Sequence, residues 1–337
     1  MLGLRQGDRM RRREFLTFLG GAAAAFPLPA RAQPRMRRIG ILMSGAELDL
    51  DWQRLESAFE TELKKLGWVR GRDIRIDYRW PGDGIDRINA YAIDLVELGP
   101  ELIVVATTPG VQAVRRRSES IPIIFLNVSD PVGGGLVPNI THPGAKTTGF
   151  TASDYSICKK WLEIVKEIAP RTSRVALVFN PDTAPNAKEF LKPFESAATA
   201  FSIKPVSMPF RTAQEIERAI EGFARPPNSA LLIVPEPSTI LERQSIIEMA
   251  NKNKLPAIYP FRFFTAGGGL ASYGADMTAQ CREVATYVDR ILRGQSPGDL
   301  PVQAPTKFEL VINLKTAKAL NLAMPPALLA RAQEVIN

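Results

Sequence analysis

Two short polar stretches, each at the end of an apolar run, are the parts of this sequence best suited to hold a small molecule. The first is Thr107-Thr108-Pro109-Gly110, after the run 102–106; the second is Asn127-Val128-Ser129-Asp130, after the run 121–126. Hydroxyls and the free N–H groups of a helix start suit a carboxylate, and Thr107-Thr108 stands just before a predicted helix. Carboxylates suit an ammonium through charge-assisted hydrogen bonds, and Asp130 and Asp276 are the candidates. Tyr155, Phe261 and Tyr273 would supply an aromatic wall for a flat side chain. Architectural roles stay open beside these. Asp130 precedes Pro131 and suits a turn, while Thr108 and Asp276 each suit a helix cap. The chemistry expected is capture of an amino acid or a similar small polar organic.

Catalytic alternatives find little support. The sole histidine, His142, stands in a Thr-His-Pro-Gly loop with no acid beside it in sequence, which disfavours a Ser-His-Asp triad or a multi-histidine metal site. Pro143-Gly144-Ala145-Lys146-Thr147 lacks the glycine before lysine that a phosphate loop requires, and no long helix follows. Arg115-Arg116-Arg117 closes a short helix, where cations suit the dipole. No metal and no cofactor are expected.

The elements that must position these residues follow from periodicity. Strands are predicted at 38–43, 73–80, 102–106, 121–126 and 147–151, then at 174–179, 203–209, 230–234 and 257–259. Helices are predicted between them at 51–66, 86–98 (capped by Asp86), 157–168, 188–200, 212–224 and 241–254. Short buried runs alternating with helices make an α/β fold of two Rossmann-like lobes joined by a multi-strand hinge. The N-terminal lobe is expected over 36–152 plus 277–303, where helix 277–292 returns to it, and the C-terminal lobe over 153–276. Residues 304–337 are expected to form a third crossover and a C-terminal segment.

Composition bounds the partners. The 337 residues carry a formal charge of +8. Six arginines against two acids in residues 1–32 supply half of it, which leaves a nearly balanced remainder and disfavours nucleic acid. Arg12-Arg13 followed by x-Phe-Leu, a modest apolar run and Ala30-Arg31-Ala32 fit a twin-arginine export signal over 1–32. Met10 offers a more compact start. The mature chain is expected to begin near Gln33, in the periplasm, with no membrane insertion, as a monomer. Cys158 and Cys281 read as half-buried free thiols rather than a disulfide framework.

Several motifs then appear in order: LGWVRGRDIRIDYRW, SDPVGGG, KKWLEIVKEIAP, FNPDTAP, YPFRFFTAGGGLASYGADM and YVDRILRGQSPGDLPVQAPTKFELVINLKTAKALNL. Together they resemble the periplasmic substrate-binding components of an ABC-type transport system, in the group often called TrpX-like. The resemblance spans about 38–337. It implies a type I periplasmic-binding-protein fold, a small molecule in the interlobe cleft, no enzymatic activity, and an ABC permease with its ATPase as partners. By motif, it also implies ligand contacts from Ser44, Gly45, Thr107, Thr108, Pro109, Asn127, Ser129 and Asp130 in the first lobe. From the second come Asn180, Thr183, Asn186, Glu236, Tyr273 and Asp276. A periplasmic sensor for a receptor, or an exported α/β enzyme, are the alternative readings.

Overall fold

The computed structural model describes residues 36–337 apart from Asp83, Ala145, Ser153 and Asn186. The export signal read in 1–32 and the candidate Asn186 therefore lie outside the described residues.

Alternating apolar runs and amphipathic helices build two sheets. The first has the order β2-β1-β3-β4-β5, from β1 (Arg37–Leu42), β2 (Ile74–Arg79), β3 (Leu102–Ala106), β4 (Ile123–Val128) and β5 (Thr147–Thr151). The second has the order β12-β11-β10-β9-β8-β6-β7. Its strands are β6 (Arg174–Phe179), β7 (Lys204–Pro209), β8 (Ser229–Ile233), β9 (Ala257–Tyr259), β10 (Ala271–Ala275), β11 (Phe308–Asn313) and β12 (Glu334–Ile336). Every pairing is parallel except β10 with β11. The order β2-β1-β3-β4-β5 recurs as β7-β6-β8-β9-β10. In each half the winding reverses beside the first strand, which opens a crevice at the carboxyl ends of the strands.

Burial follows position. β3 and β4 are buried at every residue, as strands covered by helices on both faces must be. The edge strands β2 and β7 are only partly buried. The helices are α1 (Leu50–Lys65), α2 (Ile85–Glu97), α3 (Thr108–Arg115), α4 (Ile157–Ile168), α5 (Ala187–Ala200) and α6 (Ala213–Ala224). They continue with α7 (Pro237–Leu241), α8 (Arg243–Lys252), α9 (Arg262–Ala266), α10 (Met277–Leu292), α11 (Leu314–Ala319) and α12 (Pro326–Leu329). α1 turns Trp52, Leu55, Phe59 and Leu63 inward at helical spacing. Asp49 caps it, accepting from the Asp51 N–H at 3.0 Å. Gly67 follows its end with φ of 100°, where a side chain would be strained.

Two local expectations need correcting. Asp86 is not the cap of α2: the cap position is Gly84, with no side-chain bond, and Asp86 lies in the first turn, where its charge suits the dipole. The expected helix 241–254 is α8, shorter at both ends. A separate helix not expected from the sequence, α7, precedes it, started by Glu236 through a capping box and divided from α8 by Glu242.

The chain passes between the sheets three times. It leaves β5 for α4. It leaves β10 for α10, which packs along α1 and whose Asp289 accepts from Trp68 Nε1 at 2.8 Å. It returns after Gln303, which bridges Phe150 of the first sheet, to enter β11 of the second. Residues 308–336 thus extend the second sheet as β11 and β12. Cys158 and Cys281 are unpaired, and more buried than the sequence suggests; burial pushes both thiols up to about 12. No helix of the described residues is long and apolar enough to cross a membrane.

Candidate functional site

The carboxyl ends of β3 and β4 meet those of β6 and β8 around one small pocket. Thr107, Thr108, Pro109, Asn127 and Ser129 line it from the first lobe, and Thr183, Ala184, Pro185, Phe190 and Glu236 from the second. The space open to water between these walls is only about 30 Å³.

The first-lobe wall is conformationally tense. Thr107 ends β3 with φ 71° and ψ 154°, a region almost confined to glycine. Its N–H still reaches Leu126 O at 3.0 Å, so the sheet holds the backbone in place. The turn launches α3 directly, and its first-turn N–H groups have no carbonyl partner within the helix. Gly110 allows α3 to lie close: a β-carbon there would come within 2.8 Å of Val105 Cγ1.

Asn127 is set by a bulge. The β4–β5 register slips between Leu126 and Val128, and Asn127 adopts φ 55°. Bulges re-aim side chains, and this one leaves the amide of Asn127 buried in the pocket wall with Oδ1 unpartnered. An unmet buried acceptor costs about 1–3 kcal/mol.

The second-lobe wall is polar but internally satisfied. Asn180 Nδ2 lies 2.9 Å from Ser238 Oγ, Ser238 Oγ 2.8 Å from Thr183 Oγ1, and Thr183 Oγ1 2.5 Å from Glu236 Oε2. Each hydroxyl can donate onward, so the chain is ordered and ends on the carboxylate. Glu236 also accepts from the backbone N–H of Ser238 and Thr239, each at 2.8 Å, and of Asn180 at 3.3 Å. Burial pushes its carboxyl up to about 7 against the lowering effect of these donors. Above this network the pocket is apolar, from Ala184, Pro185, Val234 and the Phe190 ring.

The remaining sequence candidates stand elsewhere. Ser44 is buried at the end of β1, with Oγ unpartnered. Gly45, with φ 93°, lies so near Trp52 that a β-carbon would fall 2.0 Å from Nε1. Asp130, with φ 45°, accepts from Gly133 N–H at 2.7 Å and stabilises its own turn. Asp276 caps α10 through Ala279 N–H at 2.9 Å. Tyr155 sets its ring edge on Phe190, centroids 4.6 Å apart, and so backs the wall. Phe261 packs on Phe263 and Tyr273 stacks on Phe308. Asn180 stands behind Glu236. Sequence reasoning missed the apolar lining, Ala184, Pro185, Ala187, Val234 and Phe190 among it; Phe190 in α5 reads as ordinary core, and its nearness to the FNPDTAP loop is the available signal.

Comparison with known proteins gives a consistent result. A family model described as ABC transporter substrate binding protein matches residues 52–336. A tyrosine-binding protein of Clostridioides difficile is 28% identical over 289 residues, 86% of this chain and 82% of that protein. A conserved domain protein of Vibrio cholerae superposes with a TM-score of 0.82 at 26% identity, covering 89% of this chain and all of that one. A Streptococcus pneumoniae ABC domain in complex with L-Trp superposes with a TM-score of 0.81 at 20% identity, again over 89% of this chain and all of that one.

Proposed function

We propose, for a chain that belongs to the ABC transporter substrate-binding protein family, that the captured substrate is an amino acid with an apolar or aromatic side chain. The carrying observation is the unpartnered, buried Oδ1 of Asn127 beside the start of α3. An ammonium supplies the donor that Oδ1 lacks, and a carboxylate takes the first-turn N–H groups of α3. Both belong to the first lobe and sit on neighbouring strands, as the head group of an α-amino acid requires. The side chain then faces Ala184, Pro185 and Phe190 of the second lobe. Support also comes from the relatives, one described as tyrosine-binding and one held in complex with L-Trp.

Capture proceeds by binding to open lobes and closing, a population shift set by the ligand's preference for the closed form. The closed form is then offered to an ABC transporter. No chemical step is assigned. Work outside the cytoplasm is the ordinary setting of such proteins, and the twin-arginine segment in 1–32 is the export route we favour. A thermal-shift screen over amino acids, sugars, purines and organic acids tests this. Ligand at a hundred times its dissociation constant adds about 2.7 kcal/mol to stability. Shifts with L-tyrosine, L-tryptophan or L-phenylalanine are expected. Shifts confined to sugars or purines would refute it.

A further inference from the structure

We propose that Asp49 and Arg243 are positioning residues for ligand capture: their ion pair draws the lobes together outside the pocket, with or without ligand. Asp49 precedes α1 in the first lobe and Arg243 opens α8 in the second. Asp49 Oδ2 meets Arg243 Nη2, and the two side chains are 9% and 23% exposed, so solvent screens the pair weakly. Oδ1 of the same carboxylate accepts from Asp51 N–H at 3.0 Å, which fixes the direction in which Oδ2 points.

Aromatic packing backs the pair. The guanidinium lies over the Phe263 ring at 5.6 Å, Phe263 lies 5.9 Å from Trp52, and Trp52 lies 6.1 Å from Trp80. Phe263 belongs to the second lobe, and both tryptophans to the first. One buried apolar cluster accordingly runs from Ile39 and Trp52 through to Phe263 and Phe264. None of these four side chains lines the pocket of Thr107, Asn127 and Glu236.

A contact across a hinge exists only when the hinge is shut. It acts on binding through the closed population, and apparent affinity scales with the fraction of binding-competent molecules. The inference rests on the two-lobe capture reading, but its test needs no ligand. Small-angle X-ray scattering of the ligand-free protein is compared among wild type, Asp49→Asn, Arg243→Gln and the double variant. Asparagine keeps the helix cap while deleting the charge, and circular dichroism verifies that each variant is folded. Each single variant is expected to raise the radius of gyration, and the double variant to raise it no further. Unchanged scattering in all three overturns the proposal. So do fully additive increases, because deleting either partner already removes the one ion pair they share. If the variants open but L-tyrosine binds none of the proteins, the latch stands and the amino-acid reading falls.

Discussion

Thr183 Oγ1 lies 2.5 Å from Glu236 Oε2, and a hydroxyl so placed donates to the carboxylate. This bond fastens the loop after β6 to the loop after β8, on either side of the winding reversal in the second sheet. Glu236 is thus the keystone of one pocket wall, and its charge state sets how firmly that wall holds.

Stability should therefore depend on pH through Glu236. Its carboxyl is raised from 4.5 to about 7, so the folded state holds the proton more tightly than the unfolded state. Such a group leaves stability greatest below the unfolded value and loses it as pH rises from 4.5 through about 7. The ceiling on that loss is about 3 kcal/mol, at 1.36 kcal/mol for each unit. Glu309, also pushed up to about 7 by burial, titrates in the same window. Denaturation of wild type and Glu236→Gln at pH 5 and pH 8 separates the two. The advantage of wild type over the variant is expected to shrink at pH 8; a constant gap would reject the assignment.

Thr107→Gly should stabilise the protein although it deletes a buried side chain. The native φ and ψ cost a β-branched residue about 1–3 kcal/mol, and glycine none. After the entropy of glycine is subtracted, roughly 1 kcal/mol of gain is expected, read as a higher denaturation midpoint. A lower midpoint would mean that the side chain contributes more than its backbone costs.

Gly45→Ala should destabilise. The new methyl would meet the Trp52 indole at 2.0 Å on a backbone with φ 93°, and Trp52 is wedged between Trp80 and Phe263. A loss of about 2 kcal/mol or more is expected by calorimetry, from overpacking and backbone strain together.

Neither cysteine should react in the native state. Both thiols are buried and raised to about 12, so the thiolate is scarce and shielded. A disulfide reagent should label neither under native conditions and both in denaturant. Rapid native labelling would contradict the burial of Cys158 and Cys281.

The strand ends were legible in the sequence because β3 and β4 are uninterrupted apolar runs, each closed by polar residues. That placed Thr107, Thr108, Asn127 and Ser129 at the pocket. The roles of the carboxylates were less so. Asp130 and Asp276 have cap and turn signatures, and the structure gives them those duties, whereas Glu236 combines a cap with a place in the wall. The bulge that aims Asn127 depends on how β4 meets β5, which single-strand periodicity does not encode. Likewise, the meeting of Asp49 with Arg243 depends on lobe placement across nearly two hundred residues.

The claim that the first lobe holds both charges of an amino acid is tested most directly by calorimetric titration with three molecules. L-tyrosine carries both charges, tyramine lacks the carboxylate, and 3-(4-hydroxyphenyl)propionate lacks the ammonium. Each truncated molecule should bind at least about tenfold more weakly, the equivalent of one charge-assisted hydrogen bond. Asn127→Gly, which keeps the left-handed backbone and deletes the amide, should weaken L-tyrosine while leaving the propionate almost unaffected. If either truncated molecule binds wild type as tightly as L-tyrosine does, the head-group assignment is wrong.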